Sequence, residues 1–238
     1  LERIAAEALG RALGRVPGVA AAAAPPFELV VHRRYNPEGL SRYNIVPGLV
    51  GTILTMTMVM LTSLAMTRER ERGTMENLLA TPARPFEVMV GKILPYVALG
   101  YVQLGVIMLA AWALFEVPMV GSFALLMPLI GVFMLANLGV GFTFSTLARN
   151  QLQAMQMTFF FFLPSILLSG FMFPFRGMPA WAQTLGEVLP LTHFMRIVRG
   201  ILLKGSGWPE LWPDVWPMAL FILVAGAVAL KRYRLTLD

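Results

Sequence analysis

Apolar residues fall along this chain in five long runs, and the segments between them hold most of the charge. The runs are Ile45 to Met66, Ile93 to Phe115, Phe123 to Leu147, Gln153 to Phe173, and Val215 to Leu230. A helix needs roughly 20 apolar residues to cross the hydrocarbon core of a bilayer. The pattern therefore predicts an all-α polytopic membrane protein with five transmembrane helices. The last run is short by this measure, but Trp208, Trp212 and Trp216 ahead of it have the character of an interfacial aromatic belt. Pro95, Pro128 and Pro164 lie inside runs and are expected to bend their helices, as membrane helices tolerate when neighbours re-satisfy the freed backbone groups.

Residues 1–44 differ in kind. They begin Ala-rich and dotted with Arg, then turn to Phe27-Glu28-Leu29-Val30-Val31, which has the alternation and β-branching of a strand. One strand cannot bury itself, so the segment is expected to be the end of a soluble domain outside the membrane, the alternative being a simple tail. No basic stretch followed by a short apolar core marks a signal peptide at Leu1.

Composition sharpens this picture. Hydrophobic residues make up 57% of the 238 and charged ones 13%, against about 25% charged in ordinary soluble domains. Mean hydropathy is +0.69. Without any Cys the chain has neither disulfides nor thiolate metal sites, and its two histidines, His32 and His193, are too far apart in sequence for a ligand-spaced cluster. A metal is not expected. The net charge of +6 sits largely beside apolar runs, at Arg68, Arg70, Arg72 and at Lys231, Arg232, Arg234. That placement suits a lipid surface and speaks against nucleic acid. With the N-terminal segment outside, nine basic residues crowd the inner loops and tail, against seven on the outer side. Denser positive charge inside favours an external N-terminus and a cytoplasmic C-terminus.

None of the five runs holds an Asp, Glu, Lys, Arg or His. Ion-coupled transporters need such groups in the bilayer to carry the coupling charge, so any transport here should draw its energy from elsewhere. Polar residues inside the runs, among them Gln103, Asn137, Gln156 and Thr52, Thr55, Thr57 and Thr62, read first as interhelical hydrogen-bonding groups. Gln103, Asn137 and Gln156 are also the candidate substrate-pathway residues. Met56, Met58, Met60, Met155 and Met157 are either packing filler or adaptable walls for a hydrophobic or amphipathic cargo.

Catalytic motifs are missing. The P-loop pattern GxxxxGK[ST] does not occur, since Gly91-Lys92 is followed by Ile93, and there is no GxSxG elbow. No catalytic residue, metal or cofactor is expected. An intramembrane enzyme would need a convergent set of nucleophile and base that these runs do not offer. A membrane scaffold without transport activity is a further alternative.

The most informative loop is Thr67 to Lys92, TRERERGTMENLLATPARPFEVMVGK. Thr74 can cap a short helix with Glu76 in its first turn and Leu78 and Leu79 as its apolar edge. Thr81-Pro82 should end that helix. Arg84 and Pro85 should start a second at Phe86 that leads into the next run. A charged helix lying under the membrane is a plausible docking surface for a soluble partner, the alternative being a solvated loop. Between the last two runs, Pro174 to Gly207 is too polar for lipid and too apolar for a free loop. Met178-Pro179-Ala180-Trp181 should begin one short helix, Pro190 should end it, and Thr192 should cap a second running to about Leu203.

These segments resemble a known family. Glu69-Arg70-Glu71-Arg72-Gly73-Thr74-Met75-Glu76-Asn77-Leu78-Leu79, Thr81-Pro82 and Gly91-Lys92-Ile93-Leu94-Pro95-Tyr96 look like the loop of ABC type-2 permeases, close to multidrug-export members. Tyr35-Asn36-Pro37, Val46-Pro47-Gly48, the run Ser145 to Gln151, Leu168 to Pro174 and Arg199 to Gly205 agree in the same order. The resemblance implies a six-span export permease with no catalytic chemistry of its own, residues 45–238 forming the permease domain. It implies a second permease protomer and a separate ATP-binding subunit as partners, with a periplasmic adaptor as a further candidate. Glu69, Glu71, Gly73, Thr74, Glu76 and Leu78 would couple to the ATPase. Pro174, Trp181, Pro190 and Arg199 would belong to an external gate. The bacterial inner membrane is the expected location, and the family's cytoplasmic N-terminal helix and first span are expected to be missing from this sequence.

Overall fold

The computed structural model describes residues 41–72 and 85–235. Among them there are seven α-helices and no strand: α1 Arg42–Glu71, α2 Pro85–Phe115, α3 Phe123–Leu147, α4 Gln151–Leu168, α5 Ala180–Val188, α6 Pro190–Arg199 and α7 Trp208–Leu235. Five of these, α1 to α4 and α7, are long and apolar enough to cross a membrane. The expected strand at Phe27–Val31 and the capped helix at Thr74 fall outside the described residues.

Two helices form the centre. More than half of α1's apolar window is buried and half of α3's, whereas α2, α4 and α7 are mostly exposed around them. Lipid tails are as apolar as leucine, so close packing rather than hydrophobic expulsion holds such helices together, and small residues set the approach. Gly141 of α3 shows it: a Cβ there would lie 2.8 Å from both the Val59 carbonyl oxygen and Thr62 Cβ of α1. A Cβ on Gly51 would meet Leu191 and Phe194 of α6 at 2.9 Å.

Buried hydroxyls on α1 bond back to their own helix. Thr55 Oγ1 donates to the Gly51 carbonyl at 2.8 Å, Thr62 to Met58 at 2.8 Å and Thr67 to Ser63 at 2.7 Å. This satisfies the hydroxyl where no water reaches it. Polar side-chain contacts also cross to neighbouring helices, among them Thr57 Oγ1 donating to Gln103 Oε1 of α2 at 2.9 Å, a hydrogen bond of 3.2 Å shared by Ser63 and Thr158 of α4, and the pairing of Lys92 of α2 with Glu69.

Between α4 and α7 the chain forms a cap at one end of the bundle. Phe175–Gly177 is a 3-10 turn, α5 and α6 follow, and Gly200–Lys204 is a π turn closed by Gly205 at φ 69°. Pro190 both ends and begins: α5 stops at Val188, Leu189 is extended, and Pro190 is the first residue of α6. Its missing N–H is one that no helix start uses, which suits this position. Thr192 is therefore not the cap that the sequence suggests. Its backbone N–H donates to the Leu189 carbonyl, and its buried hydroxyl has no partner among the described residues. Helix α6 is almost wholly buried, with Phe194 stacked on Phe133 of α3 at 4.0 Å and 8°. The last helix starts at Trp208, seven residues before its apolar run, so Asp214 lies on α7 within a candidate span.

Candidate functional site

The bundle has two chemically distinct ends. At the end where α1 stops and α4 begins, polar side chains tie three helices together. Glu71 is the last residue of α1; its carboxylate accepts the Gln151 backbone N–H at 2.8 Å and also the Gln151 side-chain amide. Arg68 Nε, nearly one turn earlier, donates to Gln151 Oε1 at 3.2 Å. The Gln151 amide is thus held on both sides by one helix end. Those hydrogen bonds from Gln151 pull the Glu71 carboxyl below the usual carboxylate range, with the Arg68 charge assisting. Glu69 reaches the other way, to Lys92 of α2, whose ammonium also lies 3.4 Å from Met66 Sδ.

Helix α4 explains why Glu71 is welcome there. It has no acidic residue in its first turn, and Asn150 caps it by accepting the Gln153 N–H at 2.8 Å. A helix N-terminus carries partial positive charge and unpaired N–H groups, so an anion supplied from α1 fills a need that α4 leaves open.

At the opposite end the α5–α6 hairpin is held by a cluster of polar and charged side chains that runs from buried His193 to the exposed rim. His193 lies with Nδ1 2.9 Å from Asp214 Oδ1 of α7 and Nε2 2.9 Å from the Glu187 carbonyl oxygen of α5. Both neighbours only accept, so the ring satisfies both contacts when both nitrogens carry hydrogen. Arg196 Nη1 donates to Glu187 Oε2 at 3.0 Å and to Asp214 Oδ1 at 3.2 Å, and its guanidinium lies 4.7 Å from the Phe175 ring centroid. The hydrogen bond to Glu187, with both carboxylate charges, holds Arg196 still more firmly protonated than usual. Among the described residues Arg199 meets carbonyls rather than an anion: it donates to the Gly170 carbonyl at 3.2 Å and to the Asn44 carbonyl at 3.4 Å, and burial pulls its pKa down.

The residues expected at the gate therefore stand apart. Arg199 joins the ends of α1 and α4, and Pro190 is a buried helix start, while Trp181 and Pro174 face outward. Of the coupling residues, Glu69 and Glu71 are engaged with Lys92 and Gln151, and Gly73, Thr74, Glu76 and Leu78 lie outside the described residues. The pathway candidates do not converge. Gln103 is bonded to Thr57, Asn137 is buried and donates to its own helix at Phe133, and Gln156 is exposed on α4. The sequence assigns no site role to Asp214, to Glu187 or to Gln151, the last residue of the Ser145 to Gln151 run, although an Asn cap with no acid behind it leaves room for an anion from elsewhere at α4.

A helical bundle with five helices long and apolar enough to cross a membrane defines a multi-pass membrane protein. Residues 26–203 match the ABC-2 type transporter family model, and the chain belongs to that family, one of transport permeases. It is 34% identical over 208 residues to a protein of Escherichia coli strain K12 named "Probable multidrug ABC transporter permease YbhR", covering 87% of this chain and 56% of that protein. YbhS of the same organism, with the same description, is 37% identical over 183 residues, 76% of this chain and 48% of its own length. The inner membrane transport permease YhhJ is 31% identical over 227 residues, 90% and 57% respectively. The chain thus spans about half the length of the curated relatives it matches.

Proposed function

We propose that this chain is the membrane part of an ATP-driven exporter, working as a dimer with a separate ATP-binding subunit that docks on the segment between α1 and α2. Membership in the ABC-2 type transporter family carries this reading. The five apolar helices support it, as does a chain that supplies no nucleotide-binding motif of its own. In this reading the end bearing Arg68, Lys92 and Arg149 faces the cytoplasm of a bacterial inner membrane and the α5–α6 hairpin closes the outer exit. The cargo is a hydrophobic or amphipathic molecule of the multidrug class, since among the described residues the part-buried charges on the membrane-length helices are already engaged, Asp214 by His193 and Arg196 and Lys92 by Glu69. The chain uses no cofactor itself.

The test is to co-express the full-length protein with candidate ATP-binding cassette subunits and assay vanadate-sensitive ATP hydrolysis of the purified complex in lipid. Hydrolysis accelerated several-fold over the ATPase alone is expected, with drug accumulation lowered in cells that hold both. Failure of the protein to copurify with or stimulate any cassette subunit encoded beside it would overturn the reading.

A further inference from the structure

We propose that the clasp of Glu71 and Arg68 on Gln151 is the relay that makes α4 follow α1 when the segment between α1 and α2 is loaded, which makes Glu71 and Gln151 positioning residues for coupling. The inference rests on the exporter reading and names the route that the driving force takes.

Geometry sets the direction of the force. The connection to α2 leaves α1 directly after Arg72, so a push applied to it arrives at the last turn of α1. Among the described residues that turn reaches two neighbouring helices, through Glu69 to Lys92 of α2 and through Glu71 and Arg68 to the first residue of α4. The first joins the two helices that the connection already joins in sequence and adds no new route. The second reaches a helix 80 residues further along the chain. It also grips at more points, on the solvent-exposed end of the bundle. One carboxylate takes a backbone N–H and a side-chain amide of the same residue, while Arg68 fixes that amide's oxygen, so Gln151 can neither rotate nor leave without breaking three hydrogen bonds. Charge-assisted bonds of this kind are shorter and stronger than neutral ones. Because the backbone N–H belongs to the first turn of α4, the pull falls on the helix axis rather than on a flexible side chain. Deeper in, the Ser63–Thr158 hydrogen bond at 3.2 Å keeps the two helices in register, so they respond as one body. Both partners are needed because α4 has no first-turn acid to replace Glu71.

The relay predicts a specific loss. Spin labels on exposed Leu114 of α2 and Leu167 of α4, in the full-length protein with its ATPase subunit, report their separation without nucleotide and with ADP and vanadate. Wild type is expected to change between the two states. Glu71→Ala and Gln151→Ala should each keep ATP hydrolysis while the export-to-hydrolysis ratio falls at least about fivefold, the low end of a typical coupling energy, and the Leu114 to Leu167 change shrinks. Replacing both by cysteine and joining them with a short bis-methanethiosulfonate should restore the change, and reductant should abolish it again. A merely structural role would lower abundance or hydrolysis and would not return with the cross-link. If wild type responds to nucleotide and both alanine variants respond equally, or the cross-link restores nothing, the relay is wrong while the exporter reading stands. A wild-type complex that hydrolyses ATP with no change at α4 also overturns the relay. A wild type that binds no ATPase overturns both.

Discussion

At Gly141 α1 and α3 approach closely, because the place of its missing Cβ is taken by the Val59 carbonyl oxygen and by Thr62. Backbone and a β-branched residue cannot move aside as a flexible side-chain tip can. Gly141→Ala is therefore expected to cost about 1–3 kcal/mol, the range for overpacking a close-packed site. Gly226 of α7 offers the comparison, since nothing lies within 4 Å of its Cβ position. There Ala should be neutral or stabilising by up to about 1 kcal/mol, because it restricts the unfolded chain and favours helix. Thermal unfolding in detergent of the two variants beside wild type distinguishes them. Equal behaviour of the two would show that the α1–α3 contact does not limit stability. Neither role is visible in sequence, where both are glycines in apolar runs; only the neighbouring helix tells them apart.

At the scale of elements, the α5–α6 hairpin is fastened to α7 chiefly through Asp214. Its carboxylate, largely shielded from solvent, accepts from His193 and Arg196 together, whereas Glu187 is more exposed and acts at the rim. Asp214→Asn keeps the shape and an accepting oxygen for both donors, which meet the same Oδ1, but loses the charge that they face. It is expected to cost about 1–3 kcal/mol, as for hydrogen bonds to charged groups. Glu187→Gln should cost about 0–1 kcal/mol, like other exposed pairs. Limited proteolysis within 175–207 reads the difference as earlier cleavage in the Asp214 variant. Existence of this hairpin is legible from its mixed polarity and its prolines. Its joint is not, because a proline that stops one helix also suits the first position of the next, and only packing against Phe133 decides that α6 starts at Pro190.

For the molecule as a whole, the number of long helices follows from the lengths of the apolar runs, since a bilayer demands a minimum span. Partnerships among them do not: Glu71 and Gln151 meet from 80 residues apart, and no local pattern marks them as a pair. Sidedness is written more plainly. Helix alternation puts Trp112, Trp181, Trp208, Trp212 and Trp216, all five tryptophans of the chain, at the hairpin end or the adjoining half of α2 and α7, while Arg68, Lys92, Arg149 and Lys231 sit toward the other end. Single cysteines in the otherwise cysteine-free segment test it. Gly177→Cys is expected to react with an impermeant thiol reagent in intact cells, and Arg149→Cys only after permeabilisation; the reverse pattern would invert the bundle. One more property follows from the hydroxyls of α1, which spend their hydrogen bonds on their own backbone. Among the described residues no side-chain hydrogen bond joins α1 to α3, although that seam is close, while α1 is bonded to both α2 and α4. The central seam is consequently a bearing, notched at Gly141 but not welded: among the described residues a glide of α1 along α3 breaks no side-chain hydrogen bond between those two helices, while the clasp on Gln151 makes α4 the helix that travels with α1.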